Sequence, residues 1–402
     1  MAQHSLSPLR RTVVGVQFMF VAFGSTVLVP LLTGLDPAVA LLAAGLGTLL
    51  FHAVTGGKVP IYLGSSFAFI APIIKATELF GLGGMFCGLV SVGLVYMLMS
   101  LLVKTFGIDL IKKLFPPVVI GPVIILIGLS LAGAGVNMAQ ENWILAIVSL
   151  AVAVAASIWG KGMIKLIPVV FGALAGYVVA LIFFRDTMDF SVVGNASWFA
   201  FPKLAKMSFS WQAILFMAPV AIAPIIEHVG DMYAIGSIAG KDFVKDPGLH
   251  RTMLGDGLSC VLAAFLGGAP ITTYSEVTGA VSLTKVTAPS VLRIAAISAV
   301  VLSVIGKVGA VIQTIPSAVL GGIMLLLFGS IASVGISNMI QAKIDMGSTR
   351  NLIIVSLILT IGIGGAIISV GSFTLSGIGL ASLVGVILNL ILPEDKKAAA
   401  EK

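Results

Sequence analysis

Charge is what this 402-residue sequence most lacks: Asp, Glu, Lys and Arg together make up 10% of it, against about 25% in soluble domains. Without it the chain cannot clothe a water-facing surface of that size, and a soluble enzyme is excluded. Cysteine is nearly absent as well. Cys87 and Cys260 lie in apolar stretches with no metal or redox spacing, so no disulfide framework is implied. The four histidines, His4, His52, His228 and His250, are too scattered to form a metal constellation. The modest excess of positive charge, +7, fits cytoplasmic loop bias in a membrane chain rather than a nucleic-acid partner. What is abundant is apolar surface: 58% of residues are hydrophobic and mean hydropathy is +1.15. At about 20 residues per span, that allows roughly a dozen or more crossings of a lipid bilayer and few large loops.

The short polar tail from Met1 to Arg11 precedes an apolar run without a small-residue cleavage site, which reads as an uncleaved first helix. Arg10-Arg11 is then the positive flank of that helix rather than a twin-arginine signal. Charge-poor runs follow near 13–33, 37–57, 82–103, 114–135, 143–160 and 166–184, and again near 212–238, 252–267, 289–309, 314–337, 351–370 and 374–393. Two further runs are too short to be ordinary spans: 16 residues between Lys58 and Lys75, and 14 between Pro270 and Lys285. As helix each reaches at most about 24 Å, less than the roughly 30 Å hydrocarbon core, so both read as half-spans. Counting them gives about fourteen elements. With the N-terminus in the cytoplasm and alternating sides, 18 of the 23 Lys and Arg fall inside, and only Lys75, Arg185, Lys203, Lys206 and Lys307 fall outside. Both termini are therefore expected in the cytoplasm, with the protein in the cell's inner membrane.

The halves resemble each other. Phe115-Pro116-Pro117-Val118-Val119-Ile120-Gly121 aligns with Ile315-Pro316-Ser317-Ala318-Val319-Leu320-Gly321 at an offset of 200, and Ser66-Phe67 with Ser275-Glu276 at 209. With seven elements per half, the second half begins on the opposite side of the membrane, so the repeat is inverted. Interrupted helices from two inverted repeats meeting at a midplane site are the mark of secondary transporters.

Of the 16 acidic residues, 13 are assigned to loops, tails or helix ends, leaving Glu227, Asp231 and Glu276 at membrane depth. An acid there is functional by default. Glu227 and Asp231 are four residues apart, so a helix stacks them on one face. Glu276 opens the second half-span, where free backbone N–H groups favour a carboxylate or a polar ligand. Burial disfavours the charged form of a carboxyl, which suits these groups to handling a proton. His228, about 100° around the helix from Glu227, reads as a packing or helix-bonding residue before it reads as a ligand. Phe67 and Tyr274, one in each half-span, offer flat faces for a planar ring.

At these residues the sequence resembles the nucleobase–cation symporters of the uracil/xanthine permease family, also called nucleobase–ascorbate transporters, over nearly the whole chain. The matching pieces are Gln17 with Phe23-Gly24-Ser25-Thr26-Val27-Leu28-Val29-Pro30, Tyr62 to Phe69, Glu227-His228-Val229-Gly230, Asp246 to Arg251, and Thr272-Thr273-Tyr274-Ser275-Glu276. The resemblance implies an all-α polytopic fold of fourteen segments as two inverted repeats of seven, with short antiparallel strands in interrupted segments 3 and 10. It implies a core domain over 1–113 and 201–311, a gate domain over 114–200 and 312–402, and a homodimer through the gate. It further implies that Glu227 holds ring N–H groups of a nucleobase and Glu276 its other polar edge. The backbone amides of Phe67 and Ser275 would face ring carbonyls, and Tyr274 would assist through water.

Three departures from the family pattern bear on the substrate. Gln17-Phe18 stands where many members have Gln-His, and Asp231 stands where uracil-type members have His, as xanthine- and urate-type members commonly do. Val277 replaces the usual Asn, while Glu276 is the uracil-type residue. The expectation is a proton-coupled uracil importer, no enzyme, with no cofactor beyond the coupling proton. A xanthine or urate symporter and an inorganic-anion transporter of the same fold are the alternatives.

Overall fold

The computed structural model of the chain describes residues 7–161, 163–202, 204–370 and 373–393. His4, Lys203, Lys396, Lys397 and Lys402, used above in reading the sequence, lie outside them. Helices α1 (Pro8–Thr33) and α2 (Pro37–Val54) open the fold. Each starts on proline, whose missing N–H costs nothing in a first turn, and Asp36 caps α2 through a 2.8 Å bond from the Ala38 amide. Strand β1 (Leu63–Ser65) and a 3-10 turn (Phe67–Phe69) lead into α3 (Ile70–Phe106). Then come α4 (Ile108–Leu114), α5 (Pro117–Ser130), α6 (Ala132–Gln140), α7 (Trp143–Trp159), α8 (Met163–Leu166), α9 (Pro168–Phe183) and α10 (Ser191–Asn195). The second half runs through α11 (Trp211–Met217), α12 (Ile222–Ala239), α13 (Leu249–Leu266), β2 (Ile271–Thr273), α14 (Ser275–Thr284), α15 (Pro289–Ser303) and α16 (Gly306–Gln313). It closes with α17 (Ser317–Gln341), α18 (Thr349–Ile363), β3 (Ile367–Val370), β4 (Phe373–Ser376) and α19 (Gly377–Ile391). Among the described residues, six helical stretches are long and apolar enough to cross a membrane, and five shorter apolar helices of 10–17 residues accompany them.

The two half-spans meet. Strands β1 and β2 pair antiparallel, Leu63 opposite Thr273 and Ser65 opposite Ile271. The Ser66 amide extends the pairing to the Pro270 carbonyl (3.0 Å), and the Tyr274 amide to the Tyr62 carbonyl (3.1 Å). Buried strand residues must satisfy their backbone groups somewhere, and here each half-span satisfies the other. Each strand then turns into a short helix. One is α14; the other is the first part of α3, which breaks at Gly81, where φ is 68°. That left-handed angle suits glycine, and it divides the expected half-span from the span after it.

Small residues bring the helices together. Helix α3 packs on α13, and α2 on α13 and α15; elsewhere α17 packs against α5, α7 and α9, and α18 against α5 and α19. The repeat-related pair α5 and α17 touch where a methyl group on Gly335 would sit 2.6 Å from the Gly121 carbonyl oxygen. Such backbone approach gives close packing between helices that have no hydrophobic drive to associate inside lipid.

Three expectations need correction. The runs at 351–370 and 374–393 are not two uninterrupted helices: α18 stops at Ile363 ahead of Gly364-Gly365, and the β-branched stretch beyond forms β3, paired with β4. The run at 289–309 is broken after Ser303, whereas that at 114–135 only turns at Leu131 within Pro117–Gln140, a stretch still long enough to cross. Finally, Asp256 is not at a helix end. It sits inside α13 with no solvent exposure.

Candidate functional site

The crossing of β1 and β2 places the starts of two helices side by side, and a cavity of about 360 Å³ opens beside them. All six residues singled out in the sequence, Phe67, Glu227, Asp231, Tyr274, Ser275 and Glu276, line it. On its other side stand Ile124 and Ile127 of α5 and Leu327 and Ile331 of α17. This size and a mostly apolar wall with a few convergent polar groups are typical of a small-molecule site.

The three acids differ in how they are held. Glu227 and Asp231 share a face of α12 as the four-residue spacing requires. Asp231 is buried and fully engaged: the Thr273 hydroxyl donates to its Oδ2 at 2.5 Å, and the Ser275 hydroxyl to its Oδ1 at 2.6 Å. It therefore ties α12 to the strand and helix start of the second half-span. The carboxyls of Glu227 and Glu276 bond no other residue among those described, and both line the cavity. Tyr274 also lines it, but its hydroxyl donates 2.8 Å to the Ser65 carbonyl and so locks the strand crossing. Phe67 meets Phe328 of α17 edge to face, with ring centroids 5.6 Å apart. Ser275 opens α14 and Phe67 opens the 3-10 turn, positions whose amides have no acceptor within their own helix. Two carboxyls and two helix starts thus converge on one space. Donors and acceptors of a planar, amide-like ring would find partners on both sides of it.

Sequence reasoning missed a second polar cluster behind this wall. His228 is wholly buried, with Nδ1 2.8 Å from Asp256 Oδ2 and Nε2 2.9 Å from Thr252 Oγ1. The ring of Tyr96, from α3, lies edge-on to it at 6.4 Å. The helix-bonding reading of His228 thus describes what it does. A signal was present: Thr252 and Asp256 are four apart within a charge-poor run, so they share a face of one apolar helix. No group of three or more His, Cys, Asp or Glu suited to holding a metal occurs among the described residues.

Interrupted helices crossing at an acid-bearing cavity, in a multi-pass membrane protein, define the architecture of the inverted-repeat transporters. Comparison with known proteins carries the assignment further. Residues 10–371 match the Xan_ur_permease model, described as Permease family. The chain belongs to that family. It is 49% identical to a "Probable uracil permease" of Haemophilus influenzae over 399 residues, 97% of this chain and 96% of that one. It is 44% identical to the uracil permease of Bacillus caldolyticus (96% and 92% covered) and 42% identical to that of Escherichia coli K12 (96% and 92%). Among solved structures, SLC26A9 superposes with a TM-score of 0.72 at 13% identity, covering 95% of this chain and 65% of that one. The transmembrane domain of the cyanobacterial bicarbonate transporter BicA gives 0.63 at 16%, covering 94% and 96%. At such identities these two likenesses show the fold alone.

Proposed function

We propose that the protein is a proton-coupled importer of a nucleobase, uracil in the first place, in the cell's inner membrane with both termini in the cytoplasm. The single observation that carries this reading is that Glu227 and Glu276 face one cavity with carboxyls that bond no other described residue, next to the helix starts at Phe67 and Ser275. The names of the relatives at 42–49% identity support the choice of uracil. In the proposed site Glu227 accepts ring N–H groups, Glu276 takes the other polar edge, and the amides of Phe67 and Ser275 donate to ring carbonyls. Phe67 and Tyr274 flank the ring, and Asp231 acts on the base through Thr273 and Ser275, which it holds.

Coupling follows from charge. Two carboxyls line one mostly apolar cavity, so a proton carried on either reduces the charge that the site must bury when it closes around a neutral base. The proton is thus the proposed coupling ion and needs no further cofactor. Alternating access would move a core domain (1–113 and 201–311) against a gate domain (114–200 and 312–402); the packing of α3 with α13 and of α5 with α17 supports that division. Residues 1–6 and 394–402 of those ranges lie outside the described ones. We also infer a homodimer through the gate.

An inorganic anion fits the cavity poorly, because two glutamates line it and no Lys or Arg does among the described residues. The test is uptake of radiolabelled uracil into proteoliposomes at two external pH values. Uptake should rise with the inward proton gradient, and Glu276→Gln should lose that dependence. Uptake indifferent to the gradient in the unmodified protein would remove proton coupling from the account.

A further inference from the structure

Helix α17 changes character halfway. From Ala318 to Gly329 it carries no polar side chain, whereas its last three turns hold five. Four of these, Ser330, Ser337, Asn338 and Gln341, line the cavity together with Val334, at spacings that put them on one helix face. The stripe runs about 16 Å, from beside the glutamates to the helix end. On the topology proposed above, that end, followed by Lys343, is cytoplasmic.

The stripe offers acceptors. Ser330 donates its proton back to the Leu326 carbonyl at 2.7 Å, leaving its lone pairs to the cavity side. Gln341 Nε2 donates to Ser337 Oγ at 3.0 Å, which leaves the Gln341 carbonyl oxygen unused by that bond. Asn338 carries a buried side-chain oxygen with no hydrogen-bond partner among the described residues. A buried orphan acceptor is costly and calls for an occupant of the site or a rearrangement to satisfy it. The sequence repeats the arrangement: Asn338-Met339-Ile340-Gln341 in α17 matches Asn137-Met138-Ala139-Gln140 at the end of α6, the related segment of the other half. In an inverted repeat these two tails run toward opposite membrane faces.

We propose that the α17 stripe, centred on Asn338, is a second and weaker station for the transported ring, receiving its N–H groups as Glu227 and Glu276 release them toward the cytoplasm. The ligand class is a planar cyclic amide or imide with ring N–H donors, so the inference rests on the nucleobase reading. A path with several weak sites lets a ligand leave a tight one without losing all its hydrogen bonds at once.

The test compares uracil transport kinetics in inside-out and right-side-out vesicles holding the full chain, alongside equilibrium uracil binding. Asn338→Leu should raise KM at the cytoplasmic face about fivefold, leave KM at the outer face unchanged, and leave equilibrium affinity within about twofold. Asn338→Gln should restore the cytoplasmic value, and Asn338→Ser should not, because a hydroxyl supplies water contact but no amide at that reach. Asn137→Leu should leave the cytoplasmic KM unchanged. Should Asn338→Leu fail to insert, Asn338→Ser carries the prediction alone. Equal shifts at both faces, or an Asn338→Ser protein kinetically identical to the unmodified one, would overturn the station. Failure of the unmodified protein to bind any nucleobase would instead overturn the functional reading, and the station with it.

Discussion

Glu227 and His228 are neighbours on one turn of α12, yet they belong to opposite kinds of site. His228 faces backward into a closed cluster in which Asp256 and Thr252 occupy both ring nitrogens. Glu227 faces forward into the cavity, and its carboxyl bonds no other described residue. The difference separates polar groups that hold the scaffold from polar groups left open for a ligand. A buried group whose bonds are made inside the protein contributes to stability and specificity of packing; one facing a cavity without partners contributes to binding.

That contrast can be broken by substitution. The largest effect expected is on folding: Asp256→Ala should destabilise the protein by about 3 kcal/mol, because it empties a buried position and strands the His228 Nδ1 it met. Thermal unfolding in detergent measures this, and a melting point equal to that of the unmodified protein would mean the cluster is not structural. Glu227→Gln should do the reverse, leaving the melting point alone while weakening uracil binding about a hundredfold, the worth of a strong charge-assisted hydrogen bond. A large loss of stability would show that Glu227 has a structural partner after all. Asp231→Asn stands between the two. Its oxygens take hydroxyls from Thr273 and Ser275, and an amide can keep only one of those bonds as acceptor, so a cost of about 1 kcal/mol in stability with a smaller loss of affinity is expected. Calorimetric titration paired with a melting curve on the same sample separates the two components.

Much of this was legible in the residues because lipid is an exacting solvent. Charge-poor runs set the spans, the two short runs marked the half-spans, and Glu227, Asp231 and Glu276 stood out as acids at depth. The antiparallel strands came only through the family resemblance, since Leu63-Gly64-Ser65 and Ile271-Thr272-Thr273 are too short to announce a strand and find their hydrogen bonds only in each other. The β3–β4 hairpin escaped notice for a different reason. An apolar run such as Ile367-Ile368-Ser369-Val370 reads equally as buried helix or strand, and here tertiary context decides. Asp256 was missed because it follows Arg251 by little more than a turn, so its local sequence resembles a helix end. Its spacing from Thr252 hinted otherwise, and the bond from His228 of α12 places it inside the protein. Asp231 was visible as a companion of Glu227, but its commitment to Thr273 and Ser275 depends on a segment more than forty residues away.

What the cavity binds decides the function most directly. Purified protein titrated by calorimetry with uracil, thymine, xanthine, hypoxanthine, urate and sulfate at two pH values puts that question without the complications of transport. Saturable binding of uracil, stronger than that of the purines and about a hundredfold weaker in Glu227→Gln, is the result predicted. Binding of sulfate with no response to any base would contradict it, leaving the fold and the family in place but removing the proposed substrate.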